Sequence, residues 1–223
     1  HMKKLKILAV FLFTTLTNIS LSADGIWQGV FDINGHGRYD FTGLVNNQDV
    51  TAYTEKAKVV YRGDINITEE DFIWSLKMYL KDGTMFGTAV IKGKILNGNI
   101  MSGKWSTEPA KDYGNIYLIK NEEGIEDAEN QINRAWTSIN SKVKQDIVIE
   151  KNKILGKDEN GCNYYGDINN LNNKIYMVNL EIASCGISDG VYNGMAHIEK
   201  NEKKSILKIN ATNKNFSLLM IFE

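Results

Sequence analysis

The sequence predicts a mostly β protein, built as two small antiparallel meander β-barrels or barrel-like domains joined by a short helical linker. Three observations predict this. Short apolar runs rich in Val, Ile, Tyr and Phe recur along the chain, broken by Gly, Asn and Asp, the patterning of strands and tight turns. The longest runs alternate with a period of two, so each has one face suited to burial. A six-residue pattern also recurs: Tyr61-Arg62-Gly63-Asp64-Ile65-Asn66 and Tyr164-Tyr165-Gly166-Asp167-Ile168-Asn169, each followed within about ten residues by a long alternating strand. Internal repetition of this kind changes the expected fold, because each copy reads as its own unit.

The chain opens on a targeting pattern. His1 before Met2 reads as a cloning scar. Lys3, Lys4 and Lys6 form a positive region, Ile7 to Leu16 is apolar, and Ser20-Leu21-Ser22-Ala23 supplies small residues. That order is expected of a secretory signal peptide cleaved near Ser22 or Ala23, which assigns residues 1–23 to the removed segment. The apolar run falls well short of the ~20 residues a spanning helix needs. The expected location is therefore the periplasm, or outside the cell, and no membrane span is expected.

In the first unit, residues 24–120, strands are expected at Val50–Tyr53, Lys58–Tyr61, Phe72–Leu80, Thr88–Ile91 and Ile116–Ile119. Phe72, Trp74, Leu76, Met78 and Leu80 alternate with Ile73, Ser75, Lys77 and Tyr79. Lys81-Asp82-Gly83-Thr84 follows, and Asp-Gly between two such runs is a strong hairpin signal. Leu96-Asn97-Gly98-Asn99-Ile100 reads as a second turn. The linker is expected over residues 121–141: after the polar Asn121-Glu122-Glu123-Gly124, apolar residues at Ile125, Ala128, Ile132, Ala135 or Trp136, and Ile139 recur at helical intervals. In the second unit, residues 142–223, strands return at Ile147–Ile149, Lys174–Ile182, Val191–Tyr192, Ile206–Ile209 and Phe216–Phe222.

The cysteines are the strongest local signal. Cys162 and Cys185 are the two in the chain, both in the second unit, and an exported protein meets an oxidising compartment, so a disulfide is expected. Gly161-Cys162-Asn163-Tyr164-Tyr165-Gly166, then Ser184-Cys185-Gly186 and Gly190-Val191-Tyr192-Asn193-Gly194, resemble a pattern of small exported bacterial β-barrel domains. The opening Gly25-Ile26-Trp27-Gln28-Gly29 is similar to the Gly-x-Trp start of lipocalin-like (calycin) barrels. The resemblance implies meander barrels and carries no functional residues with it.

Charge and motifs narrow the function. Removing Lys3, Lys4 and Lys6 from 26 Lys+Arg against 27 Asp+Glu leaves a net charge near −4. That disfavours nucleic acid, whose phosphates require a basic face. No Gly-x-Ser-x-Gly elbow occurs, and Gly35-His36-Gly37 lacks the strand and helix that flank a nucleotide fingerprint. Two usable histidines, His36 and His197, are too few with paired cysteines for a metal site, and His197 is expected half-exposed on a strand. No catalytic, cofactor or metal residues are therefore assigned, and no enzyme activity is expected. Trp74, Tyr79, Phe86 and Trp105 read either as core or as lining of a ligand cavity. Two non-catalytic functions stay open, and the first is the one expected, because an exported, acidic β protein with a disulfide and no catalytic set suits binding to another protein best. One is binding to an envelope protein, in the manner of an inhibitor or immunity protein, through Asp49, Glu69, Glu70, Asn170 and Asn172 on polar loops; a basic partner would associate faster with an acidic protein. The other is carriage of a small apolar ligand inside a barrel, since barrels of eight strands are either filled or hold one ligand.

Overall fold

The computed structural model describes residues 21–122, 128–172, 174–200 and 204–223; residues 1–20 of the expected signal peptide and Ile125 of the expected linker lie outside them, while Leu21, Ser22 and Ala23 at the signal peptide's expected end are described, Ala23 buried in the first core. Eight strands form the first unit: β1 (Gly25–Ile33), β2 (His36–Asn46), β3 (Asp49–Thr54), β4 (Val59–Thr68), β5 (Asp71–Tyr79), β6 (Met85–Leu96), β7 (Ile100–Glu108) and β8 (Tyr113–Asn121). Each pairs antiparallel with the next, and β1 pairs with β8, so the sheet closes into a barrel. The second unit begins with α1 (Ala128–Ile132). It continues through β9 (Ala135–Thr137), β10 (Gln145–Glu150), β11 (Lys153–Asp158), β12 (Asn163–Asn172), β13 (Ile175–Ala183), β14 (Gly190–Lys200), β15 (Ser205–Thr212) and β16 (Ser217–Phe222). These strands also follow chain order. β9 is short, and the gap to β16 is bridged by backbone bonds in both directions between Thr137 and Glu223 (3.0 and 2.9 Å) and by Ile139 N–H to Ile221 (2.9 Å).

Residues 121–141 are less helical than their spacing suggests. They supply the end of β8, the single-turn α1, and β9, which belongs to the second sheet. The interval of four between Ile132 and Trp136 has another cause: the Trp136 indole N–H donates to the Ile132 carbonyl (2.9 Å), with both residues in the second core. Trp27 does the same in the first barrel, donating to Ala23 (2.7 Å).

The repeat is structural as well as sequential. Across the first barrel one row of partners runs Trp27, Gly43, Ala52, Tyr61, Met78. The second runs Trp136, Ile147, Gly156, Tyr164, Ile182 in the same register. Gly63 and Gly166 are required where they stand. A Cβ would lie 1.8 Å from the Ser75 carbonyl oxygen at the first and 2.2 Å from that of Asn179 at the second, and no backbone tolerates either approach.

The two barrels pack flank to flank, with β3 against β15. Both strands are buried on both faces: Val50 and Ala52 point into the first barrel, while Thr51 and Tyr53 point at the second. The seam is polar at its centre. Tyr53 Oη and His197 Nε2 are hydrogen-bonded at 2.7 Å, and Asn210 Nδ2 donates to the Ala52 carbonyl (2.9 Å). Lys208 Nζ lies between Glu55 (2.6 Å) and Glu199 (2.7 Å). Ile26, Leu44, Ile175 and Met195 form an apolar patch on one side, and Tyr53, Val60 and Tyr79 form another against Leu219.

This corrects the expectation for His197, which is fully buried. Its strand does present it outward, and the other barrel covers that face. Burial holds the imidazole down at about 4; Glu199 opposes the shift and Lys208 adds to it. For Lys208, burial alone would lower the ammonium, and the hydrogen-bonded carboxylates of Glu199 and Glu55 outweigh it.

Two expected outcomes follow from the fold. An unfolded chain takes up a proton at this histidine near 6.5, the folded chain only near 4. The seam is therefore at full strength above about pH 6.5 and loses on the order of 3 kcal/mol as pH falls to 4. His197→Gln should flatten the denaturant-unfolding stability profile between pH 6.5 and 5, where carboxylates contribute least; an unchanged slope would remove His197 as the cause. The second concerns the disulfide. Cys162 and Cys185 are bonded across a separation of 23 residues, tying the start of β12 to the end of β13. In the chain-entropy account closing such a loop stabilises by about 3 kcal/mol. Replacing both with Ser should lower the melting temperature of the second barrel and leave the first nearly unchanged by calorimetry.

Candidate functional site

The hairpins of the first barrel divide its two ends. The end formed by the β2–β3, β4–β5 and β6–β7 turns is filled by Trp27, Ile65, Phe72, Trp74 and Met101, all buried. The opposite end holds a cavity of about 550 Å³, within the ~300–1,000 Å³ usual for small-molecule sites. Phe31, Phe41, Leu76, Met78, Ile91, Trp105 and Ile116 form its walls, with Tyr39, Leu80 and Phe86 at the rim. The walls are held by ring packing: Phe31 meets Trp105 edge-on at 5.4 Å and Phe41 lies 5.5 Å from Tyr61. The Trp105 indole N–H is fixed by the Asp32 carbonyl at 2.9 Å. Such pairs keep a preferred geometry, so the cavity is preformed.

Side-chain size at the repeated positions explains why the first barrel is hollow here and the second is packed. In the first, Leu76 on β5 faces Ala89 on β6; in the second, the matching Leu180 faces Tyr192. Tyr192 is fully buried in the second core, with Trp136, Tyr164, Tyr176 and Phe222. The methyl of Ala89 occupies a fraction of the space a phenol ring fills.

The second repeated position is Tyr61, matching Tyr164. Tyr164 Oη donates to Asp158 Oδ2 (2.9 Å) and accepts from Gln145 Nε2 (3.1 Å). Tyr61 points into the cavity and its hydroxyl has no hydrogen-bond partner among the described residues. Burial, aided by the Asp40 carboxylate, pushes the Tyr61 phenol above its ordinary value, so it is a neutral donor.

The mouth opens between β2 and the β3–β4 hairpin, because β3 stops pairing at Tyr53 opposite Thr42 while β2 continues up to His36. Arg38, Asp40, Lys56 and Ala57 line that gap. The Asp40 carboxylate accepts the backbone N–H groups of Glu55 and Lys56.

No protein-family model, curated protein or solved structure matches the chain.

The expected site residues are placed as follows. Asp49 forms a two-pronged ion pair with Arg62 on the neighbouring strand. Glu69 and Glu70 are exposed at the β4–β5 turn, at the filled end of the barrel. Asn172 Oδ1 accepts the backbone N–H groups of Lys174 and Ile175 (both 3.0 Å), closing its own hairpin, whose Leu171 packs into the seam. Glu69, Glu70 and Asn170 keep side chains without a protein partner among the described residues. Of the four aromatics considered for a cavity, Phe86 and Trp105 line it, Trp74 packs in the core, and Tyr79 faces the seam. Nothing in the sequence marks Arg38, Lys56 or Ala89; the repeat that pairs Tyr61 with Tyr164 is the one sequence signal pointing near them. Asp158 lies near both cysteine sulfurs, but a disulfide offers no thiolate to a metal. No helix among the described residues is long and apolar enough to cross a membrane.

The two tyrosines should respond differently to the same change. Tyr164→Phe removes two hydrogen bonds to the part-buried Asp158 and Gln145 and should cost about 1–2 kcal/mol. Tyr61→Phe should stay within about 0.5 kcal/mol of wild type. Chemical denaturation of both variants checks this; equal losses would mean that Tyr61 is tied down by the protein.

Proposed function

We propose that the protein is an exported, non-catalytic carrier that holds a small apolar ligand in the calyx of its first barrel, with the second barrel as a packed support. The observation that carries this reading is the preformed cavity of about 550 Å³ with walls of aromatic and aliphatic side chains. Protein interiors are normally packed to crystal density, so an apolar space of this size inside a barrel calls for an occupant. The resemblance of Gly25-Ile26-Trp27 to the start of lipocalin-like barrels points the same way, as does the order of charged, apolar and small residues that suggests export to the periplasm. The alternative, an inhibitor or immunity role on a protein partner, draws on Asp49, Glu69, Glu70, Asn170 and Asn172. Two of these five are already engaged within the protein, which leaves that reading less support than the calyx.

An apolar ligand burying about ten methylenes gains ~8 kcal/mol from transfer alone, and association costs several kcal/mol of that. Affinities between the millimolar and micromolar ranges are expected. N-phenyl-1-naphthylamine, which brightens in apolar surroundings, should bind the full chain in a saturable way. Ala89→Tyr installs the residue that fills the same position in the second barrel; it should keep the fold, by melting temperature and circular dichroism, and lose probe binding. Probe binding unaffected by Ala89→Tyr would place the ligand elsewhere. Native mass spectrometry of protein from its own host should show a bound small molecule; a stoichiometric protein partner with an empty calyx would favour the alternative.

A further inference from the structure

We infer that the calyx ligand is an amphiphilic acid, an apolar chain ending in a carboxylate or similar anionic acceptor that Arg38, Lys56 and Tyr61 receive at the mouth. The inference rests on the carrier reading and adds the chemistry of the ligand's polar end.

Three donors converge on the upper calyx without partners. Arg38 and Lys56 line the opening between β2 and the β3–β4 hairpin, and neither side chain makes an ion pair or hydrogen bond among the described residues. Tyr61 adds a hydroxyl inside the same cavity, also unpartnered. Arginine and lysine side chains can only donate, and a neutral phenol buried among rings gains most by donating. What completes this set is an acceptor, and two bare cations favour one carrying negative charge.

Two acids, Asp40 and Asp112, share the lining and keep their negative charge; what favours an acceptor is that the acids are engaged by the protein while the donors are free to turn toward a ligand. Asp40 is held by the amides of Glu55 and Lys56, and Asp112 by the Asn34 side-chain amide (3.3 Å). A cationic ligand head would therefore meet carboxylates that are already bonded and cations that are not. The second barrel provides the internal comparison. There the matching phenol, Tyr164, is satisfied by Asp158 and Gln145, and Tyr192 fills the space. The first barrel lacks both the filling ring and the partners of the phenol at the same end, as expected where a ligand supplies volume and acceptor together.

Three probes of equal chain length test this on the full chain at pH 7.5: dodecanoate, dodecanol and dodecylamine, each displacing N-phenyl-1-naphthylamine, with dodecanoate binding also followed by calorimetry. Dodecanoate should displace the dye at concentrations at least about tenfold lower than dodecanol, and dodecylamine should be the weakest. The double variant Arg38→Gln, Lys56→Gln should bring dodecanoate to the level of dodecanol and leave dodecanol unchanged. Tyr61→Phe should weaken dodecanoate severalfold and dodecanol little. Equal displacement by acid and alcohol, or tighter binding of the amine, overturns the acidic head while leaving the carrier standing. No dye binding and no heat with dodecanoate overturns the carrier reading itself.

Discussion

The interior of an eight-stranded barrel has a nearly fixed size, because strand number and stagger set its radius. Every inward side chain either contributes to filling that volume or leaves part of it open. Both barrels here have the same strand count, the same meander order and the same register at the matching rows. The backbone therefore encloses similar space twice, and residue size decides the outcome. Trp27 and Trp136 fill one end of each barrel in the same way, each indole tied to a carbonyl four residues earlier. At the other end Tyr192 fills the second barrel, and Ala89 leaves the first open. One strand arrangement, used twice in the chain, thus yields a packed unit and a hollow one with little change to the strands themselves.

The hollow unit pays a stability penalty for its unfilled volume, and two features offset it. Edge-on and tilted ring contacts among Phe31, Phe41, Tyr61 and Trp105 hold the cavity walls without a ligand. The second barrel also covers β3 of the first, so that this strand is buried on both sides. The covering face is polar, with Tyr53, His197, Lys208, Glu55, Glu199 and Asn210 bonded across it. Polar contacts of this kind add modest net stability but fix one register, since a slip of the barrels would strand His197 and Lys208 in an apolar setting without partners. The calyx mouth lies beside this seam, with Glu55 bonded to Lys208 and its neighbour Lys56 lining the opening. The position of the β3–β4 hairpin, and with it the width of the mouth, is therefore linked to how the two barrels are docked.

By itself the sequence determined the class of fold, the repeat, the hairpins at Asp82-Gly83 and Asn97-Gly98, and the disulfide between Cys162 and Cys185. Each of these rests on local spacing or on a pair of residues with one use, and such signals survive without knowledge of contacts across the chain. The tertiary structure decided the rest. Alternation along β3 and β15 marks Thr51, Tyr53, Lys208 and Asn210 as the polar face, and solvent and a second barrel satisfy a polar face equally well, so the seam and the burial of His197 were not legible. Nor was the linker: Ile132 and Trp136 recur at a helical interval because an indole reaches back to a carbonyl, which spacing alone does not distinguish from a helix. The calyx was hidden for a similar reason. Whether Trp105 and Phe86 meet a ring or an empty space depends on Ala89 lying opposite Leu76 from another strand, and volume inside a closed sheet is a property of all its strands at once.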